Sequence, residues 1–64
     1  MRKKVREIIE LLEADGWYLA RQNGSHKQYY HNIKRGCVTI PDHGKNKELD
    51  HFVVNSILKQ AGIN

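Results

Sequence analysis

Apolar residues near the start of the chain recur at the spacing of one helix face. They lie three or four positions apart, as expected for a helix with one buried side. These residues are Val5, Ile8, Ile9 and Leu12. The pair Asp15-Gly16 predicts the end of this helix, because glycine readily takes the left-handed conformation that follows a last helical turn.

Short segments with the composition of β-strands come next. They are Trp17–Gln22, Lys27–His31 and Cys37–Ile40. Asn23-Gly24 predicts a tight hairpin turn between the first two segments, and a polar stretch that ends at Gly36 predicts a second turn. Because side chains alternate across a strand, one of Tyr29 and Tyr30 is expected to face the core and the other the opposite face.

A second amphipathic helix is predicted at the end of the chain. Pro41 ends the third strand segment, and the polar residues from Asp42 to Asn46 are typical of a loop. Asp50 suits the N-cap of the helix, and Gly62 suits its end. The apolar stripe between them consists of Val53, Val54, Ile57, Leu58 and Ala61.

The order helix, strand, strand, strand, helix predicts an α+β fold. The strands are expected to form an antiparallel three-stranded sheet, and both helices cover one face of it and leave the other face free. This is the architecture of a double-stranded-RNA-binding domain, and residues 1–64 are expected to form a single domain of this kind. Element order by itself does not assign a function.

Charge narrows the classes of partner. The chain has 11 Lys and Arg residues against 7 Asp and Glu residues, which gives a net charge of +4. Such a surface favours a polyanionic partner: nucleic acid, an acidic protein or an anionic membrane surface. The sequence shows neither a secretory signal pattern nor an apolar run near the ~20 residues that a membrane span needs, so a cytoplasmic location without membrane insertion is expected.

The cysteine and histidine content argues against disulfide and metal chemistry. Cys37 is the only cysteine, so the chain cannot form an internal disulfide, and its apolar neighbours predict a buried thiol. His26 and His31 lie five positions apart on a strand segment, which directs them to opposite faces. No metal site and no cofactor are predicted.

Acid–base chemistry by a histidine remains. An imidazole has a reference pKa of about 6.5, so it can take the proton of an RNA 2′-hydroxyl near neutral pH. The best-placed candidate is His26, because the small residues Gly24 and Ser25 beside it leave room for a phosphate. On pattern alone, an ordinary exposed turn histidine is the favoured interpretation of His26, because a lone histidine is weak evidence for catalysis. His43 is a second candidate, as a general acid, a phosphate contact or a hydrogen-bonding loop residue.

Several segments together resemble the HicA toxin family. The first half of the resemblance is Asp15-Gly16-Trp17 followed by Arg21-Gln22-Asn23-Gly24-Ser25-His26. The second half is Val38-Thr39-Ile40-Pro41, then His43, then Ser56-Ile57-Leu58-Lys59-Gln60-Ala61-Gly62-Ile63. The matching segments span nearly the whole chain in the family's order. One departure is Phe52-Val53, where many members have Gly-Thr at the start of the last helix.

The resemblance implies a fold, an activity and a partner. The fold is that of a double-stranded-RNA-binding domain. The activity is that of an mRNA interferase, a toxin of a type II toxin–antitoxin system that cleaves messenger RNA without metal and blocks translation. The partner is a HicB-type antitoxin, and the oligomeric state of the free toxin is left open. The family's catalytic histidine falls on His26.

Phosphate contacts are expected around that histidine. The residues assigned to RNA binding are Arg21, Gly24, Ser25, Lys27 and Lys45. The first alternative is a non-catalytic RNA-binding module of the same fold. Duplex binders usually have a cluster of lysines at the start of the last helix, and few lysines lie there in this chain. The second alternative is an interaction domain that binds only an acidic protein.

Overall fold

The structure is a computed structural model that describes residues 3–44 and 46–63. The predicted order of helix, three strands and helix is confirmed. The long elements are helix α1 at Val5–Ala14, strand β2 at Tyr18–Asn23, strand β3 at His26–Tyr30, strand β4 at Val38–Pro41 and helix α2 at His51–Ala61. Two short strands, β1 at Lys3–Lys4 and β5 at Glu48–Leu49, lie ahead of the two helices.

Strands β2, β3 and β4 form an antiparallel sheet with β3 in the centre. Tyr29 lies opposite Val38, and both side chains are buried. The next residue along β3, Tyr30, is 43% exposed, so it lies on the other face. The predicted split between the two tyrosines is therefore confirmed. The sheet has one face that the helices cover and one that is open, as in a double-stranded-RNA-binding-domain fold.

The core lies between the covered face of the sheet and the two helices. Each helix contributes the apolar stripe that its sequence predicted, because residues three and four apart share one face. The buried core residues are Val5, Ile8, Ile9, Leu12, Trp17, Tyr29, Val38, Ile40, Val54, Ile57 and Ala61. Burial raises the pKa of the Tyr29 hydroxyl, since the charged phenolate would lose its hydration.

Both helices end in the same hydrogen-bond arrangement, the Schellman motif. At the end of α1, the N–H of Trp17 donates to the carbonyl of Leu12 at 2.9 Å, and the N–H of Gly16 donates to Glu13 at 3.1 Å. Helix α2 repeats the pattern, with Ile63 donating to Leu58. The motif turns the chain at Trp17, which enters the core, so β2 begins at Tyr18 and not at the predicted Trp17.

Strands β1 and β5 form a short antiparallel ladder that the sequence did not predict. Lys3 lies opposite Leu49, and Lys4 lies opposite Glu48. The N–H of Val5 extends the contact by donating to the carbonyl of Lys47 at 2.9 Å. The ladder ties the start of α1 to the start of α2. Two-residue strands carry too little pattern for sequence analysis to detect.

The loop between β3 and β4 fastens the C-terminal ends of the two helices to each other. The ammonium of Lys34 donates to the Asp15 carboxylate at the end of α1 and to the carbonyl of Ala61, at 3.0 Å, at the end of α2. A cation in this position also faces the negative ends of both helix dipoles. Lys34 therefore links residues that lie 19 and 27 positions away along the chain.

His31 organises the same loop. Its Nδ1 accepts the backbone N–H of Ile33 at 2.9 Å and that of Lys34 at 3.1 Å, while Nε2 lies 2.7 Å from the carbonyl of Asp15. Because a carbonyl only accepts, these contacts require the neutral tautomer with its proton on Nε2. The ring also meets Trp17 edge-on at 5.2 Å between centroids. No sequence pattern indicated a role for His31, yet its contacts make it a structural residue of the loop.

Acid is expected to weaken this junction. The Lys34 hydrogen bond holds the pKa of the Asp15 carboxyl below its ordinary value, against the opposing effect of burial. The ionised carboxylate therefore stabilises the fold above its unfolded pKa of about 3.9, and that contribution is lost as the pH falls through the lower folded pKa. Thermal unfolding of wild type and Asp15→Asn should differ most at neutral pH and converge toward pH ~2. An equal difference in Tm at both pH values would contradict this coupling.

One expectation about the third strand was wrong. Cys37 is exposed and lies just before β4, not within it as a buried thiol. The reason is alternation: Val38 and Ile40 point into the core, so their neighbours in the strand direction point away from it. The strand extends instead through Pro41, which takes an end position where its missing N–H costs no ladder bond.

Candidate functional site

His26 begins strand β3 directly after the hairpin turn, at one end of the sheet. The turn has Gly24 and Ser25 as its central residues, one position later than Asn23-Gly24 suggested, since Asn23 pairs with His26. Gly24 has a φ of +62°, as the first central residue of a type II′ turn requires. His26 is therefore an exposed residue at one end of the central strand.

The register places His26 in a row of three side chains on the face of the sheet away from the helices. Asn23 of β2 and Pro41 of β4 lie opposite it. The next row along the strands holds Arg21, Gln28 and Thr39, and the last row holds Tyr18 and Tyr30. We call these eight residues the open face. All described members of the set are neutral or basic, so the face suits an anionic ligand.

A β-bulge decides that Arg21 belongs to the open face. The pairing passes from Leu19 opposite Tyr29 directly to Arg21 opposite Gln28, which leaves Ala20 as the extra residue. Without the bulge, Arg21 would lie opposite Lys27 and its side chain would point toward the helices. Arg21 therefore shares the face of His26 and lies diagonally across from it, at about 7–8 Å between backbones.

Lys27 points to the opposite face. It lies across from the buried Ile40, and its ammonium pairs with the Asp42 carboxylate at 2.6 Å. The two side chains are only 16% and 7% exposed. The Asp42 hydrogen bond raises the pKa of Lys27 above its ordinary value, although burial acts in the other direction. The ammonium of Lys27 is thus held in an ion pair on the covered side of the sheet, away from the open face.

Asp42 also fixes the loop that follows β4 against the hairpin turn. Its backbone N–H donates to the carbonyl of Ser25 at 2.6 Å, and its carboxylate accepts the N–H of Gly44 at 2.9 Å. The exposed His43 lies between these anchors. The loop after β4 is therefore hydrogen-bonded to the turn before His26 at this end of the sheet.

Comparison with known protein families places the chain in one of them. A family model described as the HicA toxin of bacterial toxin–antitoxin systems matches residues 5–63. The chain belongs to the HicA toxin family. It is thus the toxin of a toxin–antitoxin pair, and the family as a whole implies an antitoxin partner. A search among curated proteins returns no significant match.

On this HicA fold, the residues expected to bind RNA separate into groups. Gly24, Ser25 and Arg21 lie with His26 at the open face or its turn. A side-chain carbon added at Gly24 would meet no heavy atom within 4 Å, so the outer side of the turn is open to a ligand backbone. Lys27 lies on the covered side, and Lys45 falls outside the described residues.

The other sequence predictions for this HicA chain concern its last helix, metals and membranes. Asp50 is the N-cap of α2 as predicted, and its carboxylate accepts the N–H of Val53 at 3.0 Å. Within residues 3–44 and 46–63, no three His, Cys, Asp or Glu side chains are grouped as metal ligands. Neither of the described helices is long and apolar enough to cross a membrane.

Proposed function

We propose that this chain is a metal-independent RNA endonuclease, an mRNA interferase that stops translation until an antitoxin neutralises it. One observation carries the proposal: His26 is exposed beside an open turn, on a bare sheet face that also carries Arg21. A polymer can lie across such a face, whereas a small metabolite needs an enclosing pocket. The proposed location is the cytoplasm, where messenger RNA is translated.

The proposed reaction is a transesterification within the RNA strand. The neutral imidazole of His26 takes the proton of a 2′-hydroxyl, and O2′ attacks the adjacent phosphorus. The bond from phosphorus to O5′ breaks as the bond to O2′ forms, and the leaving oxygen receives a proton from the imidazolium or from a second acid. The products are a 2′,3′-cyclic phosphate and a 5′-hydroxyl end. RNA supplies its own nucleophile, so few protein groups are required.

The residues around the imidazole have separate roles in this proposal. Arg21 stabilises the charge that grows on the phosphate, because a guanidinium offers paired donors to its oxygens. Gly24 and Ser25 allow the phosphate to approach the backbone of the turn. Lys27 holds the turn to the following loop through its ion pair. Lys45 stays a predicted phosphate contact.

The proposed partner is a HicB-type antitoxin that covers His26. A protein seated on the open face would keep RNA from the imidazole without changing the toxin's fold. The net charge of +4 favours an antitoxin surface with acidic residues facing Arg21. Adding such an antitoxin in equal amount should stop RNA cleavage by the purified toxin.

Incubation of the purified protein with a long single-stranded RNA tests the proposed activity. The expected result, in buffer with EDTA, is fragments that end in a 2′,3′-cyclic phosphate. Tight binding with the RNA still intact after long incubation would instead favour the non-catalytic RNA-binding module. Binding through phosphates should weaken steeply as salt rises, because counterions are released. The absence of any RNA affinity at low salt would contradict both functions.

A further inference from the structure

Tyr18 and Tyr30 form an exposed aromatic pair at the end of the open face away from His26. The two residues lie directly opposite each other in β2 and β3. Their side chains are 47% and 43% exposed, whereas the neighbouring Tyr29 is 2% exposed in the core. Large aromatic rings this open to water add little to the core. They are available to a ligand.

The structure assigns this pair a role as a stacking subsite for an unpaired RNA base. The inference rests on the proposed endonuclease function and extends it to the class of substrate. Aromatic rings on an exposed sheet bind bases through their flat faces, with little preference for base identity. Arg21 lies between the tyrosine pair and His26 on the same face, where it can contact the connecting phosphates.

The dimensions of the open face suit a short single strand. Tyr30 and His26 lie four residues apart on β3, which corresponds to about 13 Å at ~3.3 Å per residue. An extended strand of a few nucleotides covers this distance. A base held at the tyrosines would therefore set the register of the phosphate at the imidazole.

The subsite selects unpaired over duplex RNA for a geometric reason. Bases inside a helix already stack on each other and show a protein only their edges and backbone. The exposed tyrosine rings of the open face can stack only on a base that has left such a helix. The open face is thus an interface for single-stranded RNA, although its fold is that of a duplex-binding domain.

A substrate with one possible cleavage site tests this inference. A DNA oligonucleotide with a single ribonucleotide fixes the scissile phosphate, because only that residue has a 2′-hydroxyl. An abasic site is then moved one position at a time away from the ribonucleotide. In the wild-type protein, one position should raise KM about tenfold, the usual effect of losing a stacked base. At the other positions the loss of a base should have little effect.

Variants of the pair identify the residues responsible. The double variant Tyr18→Leu/Tyr30→Leu keeps apolar bulk but removes the rings, so it should raise KM for the intact substrate about tenfold. The abasic site should then cause no further loss. The matched double variant Tyr18→Phe/Tyr30→Phe keeps both rings and should retain the wild-type KM and the same abasic profile. Circular dichroism checks the fold of each variant.

Each result supports or overturns the inference. If the abasic site raises the KM of the wild type at no position, the stacking subsite is refuted. This result does not depend on whether the leucine variant folds. A leucine variant with wild-type KM overturns the inference as well, and weaker antitoxin binding in that variant would make the pair part of the protein interface. If the wild type cleaves no substrate, the proposed endonuclease fails; fluorescence polarisation with the same labelled oligonucleotides still measures the stacking subsite.

Discussion

Replacing His26 with alanine should lower the rate of RNA cleavage by at least about a hundredfold, because the site would lose the only side chain proposed as its general base. Cells that express the variant should grow where the wild type arrests them. The fold should be unaffected, since His26 is exposed and its strand keeps the same backbone pairing. Initial rates on a long RNA and thermal unfolding of the same preparations provide the two measurements.

His51→Ala is the matched control for that experiment. His51 is also exposed, and it lies at the start of α2, away from the open face. Its replacement should leave the cleavage rate unchanged, which separates the loss of one particular imidazole from a general loss of histidine. A His26→Ala protein that cuts RNA as fast as the wild type would refute the catalytic assignment. A large fall in Tm for His26→Ala would assign the residue a structural role instead.

Leu12→Ala should be the most damaging single change in α1. Leu12 is completely buried, and truncation of a buried leucine to alanine costs about 2–5 kcal/mol. Domains of this size have a free energy of unfolding of about 3–10 kcal/mol, so the variant should lose roughly half of its stability and unfold at a much lower urea concentration than the wild type. Urea unfolding followed by circular dichroism measures the change.

Leu11→Ala provides an unusually close control, because Leu11 is the same residue type one position earlier in the same helix. Its side chain is 37% exposed. Both changes alter helix propensity equally, so the difference between their unfolding free energies reports burial alone. We expect Leu11→Ala to cost less than about 1 kcal/mol. Equal costs for the two variants would contradict the described orientation of α1 in the core.

Much of the fold was predictable because its signals are local. The stripe that contains Leu12 follows helical spacing, and the alternation at Tyr29 and Tyr30 follows strand spacing. The small residues of the turn before His26 were equally visible. These patterns predicted the element order, the covered sheet face and the exposed histidine. They did not predict the short ladder of β1 and β5, because two-residue strands carry too little pattern.

The surroundings of the candidate site depended on tertiary structure. The bulge at Ala20 turns Arg21 onto the face of His26, and no local pattern marks that extra residue. Lys27 lies beside His26 in sequence, which suggested a shared role. The register instead directs Lys27 to the covered side and into its ion pair with Asp42.

By itself, the sequence determined which residues prefer the core, where the helices and the first hairpin lie, and that a histidine follows an open turn. Periodicity encodes these features, because each depends on neighbours within a few positions. Only the tertiary structure decided which side chains meet across the sheet and how His31 and Lys34 join the ends of both helices. Those contacts depend on strand register and on pairs of residues far apart in the chain, for which neither spacing nor composition carries a signal.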